Sequence, residues 1–205
     1  MSNINLDQMD SMQFDVLKEI GNIGAGNATT ALSTLINGKV DMCVPTVALL
    51  EFKELSDMVG GAENIVVGIL ITLEGEINGM MMFMLEQVSA HHLLDLLMGS
   101  STNSEDDFSE MELSALKEIG NIIAGAYLTS LSTLTNIRIE SSVPYMAIDM
   151  AGAILSVPAI EFGKLGDKAL IIETKFLKNE SDVNGYFILI PTLESYEVIL
   201  KSLGL

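Results

Sequence analysis

Glu19 and Asn22 stand three residues apart, and Glu118 and Asn121 repeat the pair. Each pair lies in sequence of helical periodicity, so the acid and the carboxamide project from one face. Leu17, Ile20 and Ile23 supply the other faces of the first copy. Neither residue type is an activated nucleophile. An Asn amide donates and accepts hydrogen bonds, so it can orient a water. A neighbouring Glu can pair with a Lys on another protein and fix how the two dock. Together they suit hydrolysis of a phosphoryl group already held elsewhere, where positioning and charge stabilisation dominate. An ordinary solvated helix face would use the same residue types. Against that stands the double occurrence, with Asn, a mediocre helix former, in both copies.

The pairs belong to a longer repeat. LKEIGNIGAG at 17–26 returns as LKEIGNIIAG at 116–125, with Gly24 facing Ile123 as the one difference. The offset is 99 residues, the separation of Glu19 and Glu118. TALSTLIN at 30–37 faces TSLSTLTN at 129–136, and Val44-Pro45 faces Val143-Pro144. The expectation is one domain over 1–205 built from two pseudo-symmetric repeats, about 10–99 and 109–205. The near-identity is densest around the two polar pairs.

The elements that position these pairs follow from periodicity. The first long helix is expected from Asp10 or Ser11 to Gly38, with Gly38 as a left-handed C-terminal cap. The second starts at Ser109, whose capping box with Glu112 is followed by helical spacing to about Asn136; Phe108 is placed to staple onto the first turn. Gly21, Gly24, Gly26, Gly120 and Gly125 lie inside these helices, each costing roughly 0.5–1 kcal/mol against Ala. Close packing on another helix or on a sheet is the compensation expected. Extended stretches follow at 39–50 and 137–148. Pro45 and Pro144 interrupt them, which marks edge or bulged strands. Strand pairs are expected at 64–73 with 77–86 and at 168–175 with 184–190, the second joined by a polar loop from Asn179 to Asn184. Short helices close each half at 87–98 and 192–203. A further helix is expected over 149–164, capped by Asp149 and kinked or split at Pro158; its counterpart near 53–60 is shorter. The run 100–107 is the seam. Short connections imply antiparallel pairing. The fold class is therefore α/β in the broad sense (α+β), a mainly antiparallel continuous sheet with two long helices packed on it.

Composition excludes several functions. A net charge of −18 argues against nucleic acid, which requires clustered Lys and Arg, and against anionic membrane surfaces. The single cysteine, Cys43, rules out an internal disulfide framework and a Cys-based zinc site. Its apolar neighbours Met42 and Val44 predict a buried side chain. His91 and His92 are adjacent and diverge by about 100° on a helix, so they cannot share one metal. GNIGAGN at 21–27 lacks the Lys-Ser/Thr of a phosphate loop and does not follow a strand. The Met cluster at 79–84 is read as adaptable core. The N-terminus carries no apolar signal region, and no stretch approaches the ~20 apolar residues of a membrane span. A cytoplasmic chain is expected.

The pattern Asp/Ser-x3-Glu-x2-Asn-x22-Pro occurs as Asp15, Glu19, Asn22, Pro45 and again as Ser114, Glu118, Asn121, Pro144. It resembles the signature of the CheC family of bacterial chemotaxis phosphatases, related to CheX and to the phosphatase part of FliY. The resemblance covers both halves. It implies hydrolysis of the aspartyl phosphate of the response regulator CheY at two sites. By resemblance, Glu pairs with the regulator's active-site Lys and Asn places the attacking water. It also implies no cofactor of the chain's own, with Mg²⁺ and the phosphoaspartate on the partner. A second partner implied is the receptor deamidase CheD, at a face beginning near Asp149. CheX-type chains carry one copy and dimerise, and FliY-type chains add a switch domain. Two copies and an end at Leu205 favour a CheC-type monomer. The rival expectation is a mainly non-catalytic adaptor that regulates CheD, the receptors or the flagellar switch.

Overall fold

The computed structural model describes residues 11–44, 46–99, 107–162, 168–178 and 181–204. The chain runs α1 (Ser11–Leu35), β1 (Asp41–Cys43), β2 (Val47–Glu51), α2 (Phe52–Met58), β3 (Ile65–Gly75), β4 (Gly79–Glu86) and α3 (Gln87–Met98). The second half repeats this order as α4 (Glu110–Thr135), β5 (Ile139–Ser141), β6 (Tyr145–Met150), α5 (Ala151–Phe162), β7 (Lys168–Lys178), β8 (Ser181–Pro191) and α6 (Leu193–Ser202).

The two long helices start and stop for local reasons. At the head of α4, the Glu112 carboxylate accepts from the Ser109 N–H at 2.8 Å, and Ser109 Oγ accepts from the Glu112 N–H at 3.4 Å. Two orphan donors are thereby satisfied. Phe108, just before this cap, stacks on His91 of α3 with ring centroids 4.0 Å apart. Both helices end at an asparagine in the left-handed region, Asn37 at φ 48° and Asn136 at φ 55°. The expected cap at Gly38 is thus displaced by one residue. Asn tolerates this conformation because its short polar side chain bonds locally.

All eight strands form one antiparallel sheet, ordered β1-β7-β8-β4-β3-β5, with β2 also on β7 and β6 also on β3. The first half's β1 and β2 therefore lie on the second half's β7, and β5 and β6 lie on β3. The central pair joins the halves, with Phe83 opposite Phe187. The proline-interrupted strands do sit at the two edges. Pro144 falls in the gap between β5 and β6. Pro45 and most of the 100–107 seam lie outside the described residues.

β4 shows how the core is divided. Met81, Phe83 and Leu85 face one apolar cluster with residues of α1, α3, α4 and α6. Met80, Met82 and Met84 face the other, with Leu55 of α2 and Ile154 and Leu155 of α5. Alternate side chains point to opposite faces, so a strand covered on both sides reads as continuously apolar. The Met cluster is interior.

Four expectations need correction. The expected loop from Asn179 to Asn184 is strand from Ser181 on, because Ser181 pairs with Lys178 and the residues up to Asn184 join the ladder; residues 179–180 lie outside the described residues. Asp149 does not cap a helix: it belongs to β6, opposite Val66. Strand pairing holds it extended, and α5 begins two residues later. Pro158 neither splits nor ends α5, which continues to Phe162. Cys43 is exposed, because an edge strand of three residues cannot cover it.

Candidate functional site

Asp15, Glu19 and Asn22 fall at i, i+4 and i+7 of α1, and Ser114, Glu118 and Asn121 do so on α4. That spacing puts each trio on one stripe. All six are solvent-exposed. No side-chain hydrogen bond or ion pair among the described residues engages Glu19, Asn22, Glu118 or Asn121. Each pair therefore offers its full hydrogen-bonding capacity outward.

The opposite faces explain the glycines. Leu17, Ile20, Gly21 and Gly24 are buried on α1, and Leu116, Ile119, Gly120 and Ile123 on α4. A Cβ on Gly21 would come within 3.3 Å of Ile172 Cγ2 and 3.5 Å of Val44 Cγ1. A Cβ on Gly120 would overlap the Ile69 side chain. Ile172 pairs with Phe187 and Ile69 with Phe83, so the two contacts are pseudo-symmetric. Each helix lies flush on a strand, and the glycine just before the Asn is pressed against it.

The helices also touch each other. A Cβ on Gly24 would approach Tyr127 Cδ1 to 2.5 Å. Asn27 donates to Ser130 Oγ across the crossing at 3.0 Å. Tyr127 stacks on Phe187 with ring centroids 4.3 Å apart, and its hydroxyl lies 3.2 Å from Thr174 Oγ1. Burial pushes the Tyr127 hydroxyl up to about 12, with the Thr174 bond opposing part of that rise.

Beside the second pair the surface is hollowed. A groove of ≈730 Å³ is formed by the end of α1 (Leu35, Ile36), the end of α3 (Leu97, Met98) and the first turns of α4. Ser114 and Glu118 are part of its wall. Sequence reasoning missed these apolar residues. They come from three separate helices, and no local pattern marks their meeting.

The remaining candidates separate. Asp149 is exposed on β6, and its Oδ1 accepts from the Met150 N–H at 2.7 Å. His91 is buried and His92 exposed. Among the described residues no group of three or more His, Cys, Asp or Glu side chains could hold a metal ion. No helix described is long and apolar enough to cross a membrane.

Fold and site define a duplicated α/β protein that displays a Glu-x-x-Asn pair on each of two long helices. The chain belongs to the CheC-like family. The model of that family matches residues 12–49 and 111–146, which contain both pairs. The CheY-P phosphatase CheC of Bacillus subtilis is 37% identical over 94% of this chain and 94% of its own length. The flagellar motor switch phosphatase FliY of the same organism is 34% identical over 68% of this chain, which is 36% of that protein. In three dimensions the crystal structure of Thermotoga maritima FliY superposes with a TM-score of 0.74 at 23% identity. That match covers 96% of this chain and 98% of that one, and shows a shared fold.

Proposed function

We propose that the chain hydrolyses the aspartyl phosphate of a CheY-like receiver domain at two sites, one on α1 and one on α4. The observation that carries this reading is the pair of outward Glu–Asn faces, unengaged among the described residues and held on helices pressed flush to the sheet. Likeness to a CheY-P phosphatase over nearly the whole chain supports it. Glu19 or Glu118 pairs with a lysine of the receiver. Asn22 or Asn121 accepts from and donates to the attacking water, aligning it with phosphorus. The phosphate and its Mg²⁺ are the partner's, so this chain contributes position and polarity. Asp15 and Ser114 extend the contact stripe by one turn, and Pro144 shapes the gap between β5 and β6, with Pro45 at the matching place in the first motif copy. The protein acts in the cytoplasm as a monomeric single domain with both sites on one chain. Phosphate release from phosphorylated CheY at substoichiometric enzyme tests the reading; release no faster than the receiver's own overturns it.

A second reading adds an adaptor role, favoured by a specific surface. Tyr145 is 68% exposed and Met150 46% exposed on the edge strand β6, and Ile160 is 74% exposed on α5. Val157 is also exposed on α5, and by strand alternation Tyr145 and the exposed carboxylate of Asp149 share one face of β6. A CheD-like deamidase is the partner proposed there. Asp149→Lys or Ile160→Asp should abolish its capture while phosphate release persists. Retained capture by both folded variants would remove this face from consideration.

A further inference from the structure

We propose that the groove beside Glu118 is a docking subsite that makes the second site the tighter binder of the phosphorylated receiver. The inference rests on the phosphatase reading above and deepens it. The groove has an apolar floor, with Leu35 and Met98 about half exposed and Met111 at 72%. Among the described residues Glu110 and Glu118 are its charged lining, and no Lys or Arg lines it. It therefore fits a partner segment that carries a lysine with apolar side chains next to it. The lysine meets Glu118, and its neighbours fill the floor. Methionine at two of the walls lets the floor adapt to their shape.

The first half does not build the same floor. Leu35 corresponds to Leu134 and Met111 to Met12 at the repeat offset. Counted from the N-caps Glu86 and Thr192, however, Met98 corresponds to Gly204. One apolar wall is missing there.

The test isolates the second site with Asn22→Ala and measures steady-state hydrolysis of phosphorylated CheY. Adding Leu35→Asp or Met111→Asp should raise KM about tenfold, as for a truncated interface anchor, and leave kcat within about twofold. Both residues are exposed, so circular dichroism should be unchanged. Leu134→Asp, the counterpart outside the groove, and the apolar Leu35→Met should both leave KM as in the parent. Unchanged KM in both groove variants overturns the proposal, as does an equal rise with Leu134→Asp. An inactive Asn22→Ala parent beside an active wild type also overturns it. If the wild type itself releases no phosphate, the underlying phosphatase reading falls, and this one with it.

Discussion

α1 and α4 present the same outer face and different inner faces. Outward, both carry Lys, Glu and Asn in the same register, Lys18, Glu19 and Asn22 on α1 and Lys117, Glu118 and Asn121 on α4. Inward, Gly24 makes room for the Tyr127 ring. At the repeat offset their counterparts are Ile123 and Ala28, so the volume has moved from one helix to the other. The one mismatch in the ten-residue repeat is thus half of a size exchange. Interiors are close-packed, so a methyl gained on one helix must be given up on the facing one. The exposed pair has no such constraint, and its identity in both copies needs a chemical reason. That contrast separates packing residues from site residues better than the repeat itself does.

The largest expected effect tests the outer face. Asn22→Ala and Asn121→Ala should each remove one site at a cost of roughly 10²–10³ in rate there, as for a lost transition-state donor. The double variant should release phosphate from CheY no faster than the receiver alone. Its α1 and α4 should persist, because neither amide side chain bonds to another described residue. Full activity with unchanged circular dichroism would leave the outer faces as mere surface. Glu19→Lys with Glu118→Lys should in addition weaken binding of a phosphoreceiver mimic, since a like charge then faces the partner's lysine.

The next effect tests the inner face. Gly24→Ile copies the second repeat into the first and drives a side chain into the Tyr127 ring. Overpacking of this kind costs about 1–3 kcal/mol. Tyr127→Ala alone opens a cavity and costs roughly 3–5 kcal/mol. Their combination restores the total volume, so chemical denaturation should show a favourable coupling of at least about 1 kcal/mol. Strictly additive losses would mean that the two residues do not share one space.

A third difference is titratable. The second half carries Tyr127 and Tyr196 where the first has Ala28 and, counted from the N-caps, Ala90. Both tyrosines line an apolar void of about 20 Å³ beneath α1. Burial raises both hydroxyls, Tyr127 to about 12 and Tyr196 further. The unfolded chain loses these protons near the ordinary value of 10, while the folded chain keeps them. Stability is therefore full below about pH 10 and falls above it, by about 1.4 kcal/mol per pH unit for each tyrosine. Tyr127→Phe should shallow that fall between pH 10 and 12. The same alkaline slope in Tyr127→Phe as in the wild type would contradict the assignment.

Much of this arrangement was legible before any coordinates. The repeat located both helices, and the prolines placed their strands at the edges. Ser109 and Glu112 announced the start of α4 because a capping box is local chemistry. What stayed hidden depends on non-local neighbours. Asp149 has the residue type of a cap, but its ladder with Val66 holds it in a strand. Ser181 to Asn184 look like a loop, yet pairing with β7 makes them strand. The position of β1 and β2 on the other half's β7 follows from no feature of either segment. The groove beside Glu118 was hidden for the same reason.

The smallest expected effect returns to the glycines and divides them. Gly26 and Gly125 lie at equivalent positions near the helix crossing, and a Cβ on either meets nothing within 4 Å. Neither has a positive φ. Helical geometry, open space and no strain leave only the entropic penalty of glycine, so alanine at each should stabilise by roughly 0.5–1 kcal/mol. At Gly120 the same change meets Ile69, so Gly120→Ala should destabilise. The midpoint of thermal unfolding should rise for Gly26→Ala and Gly125→Ala and drop for Gly120→Ala. If the two exposed glycines instead proved intolerant of alanine while the fold survived, their openness would belong to the partner. Phosphate release by the same variants decides that case. A stabilised variant with lost activity would place Gly26 or Gly125 under the docked receiver, one turn beyond Asn22 or Asn121 on the same helix.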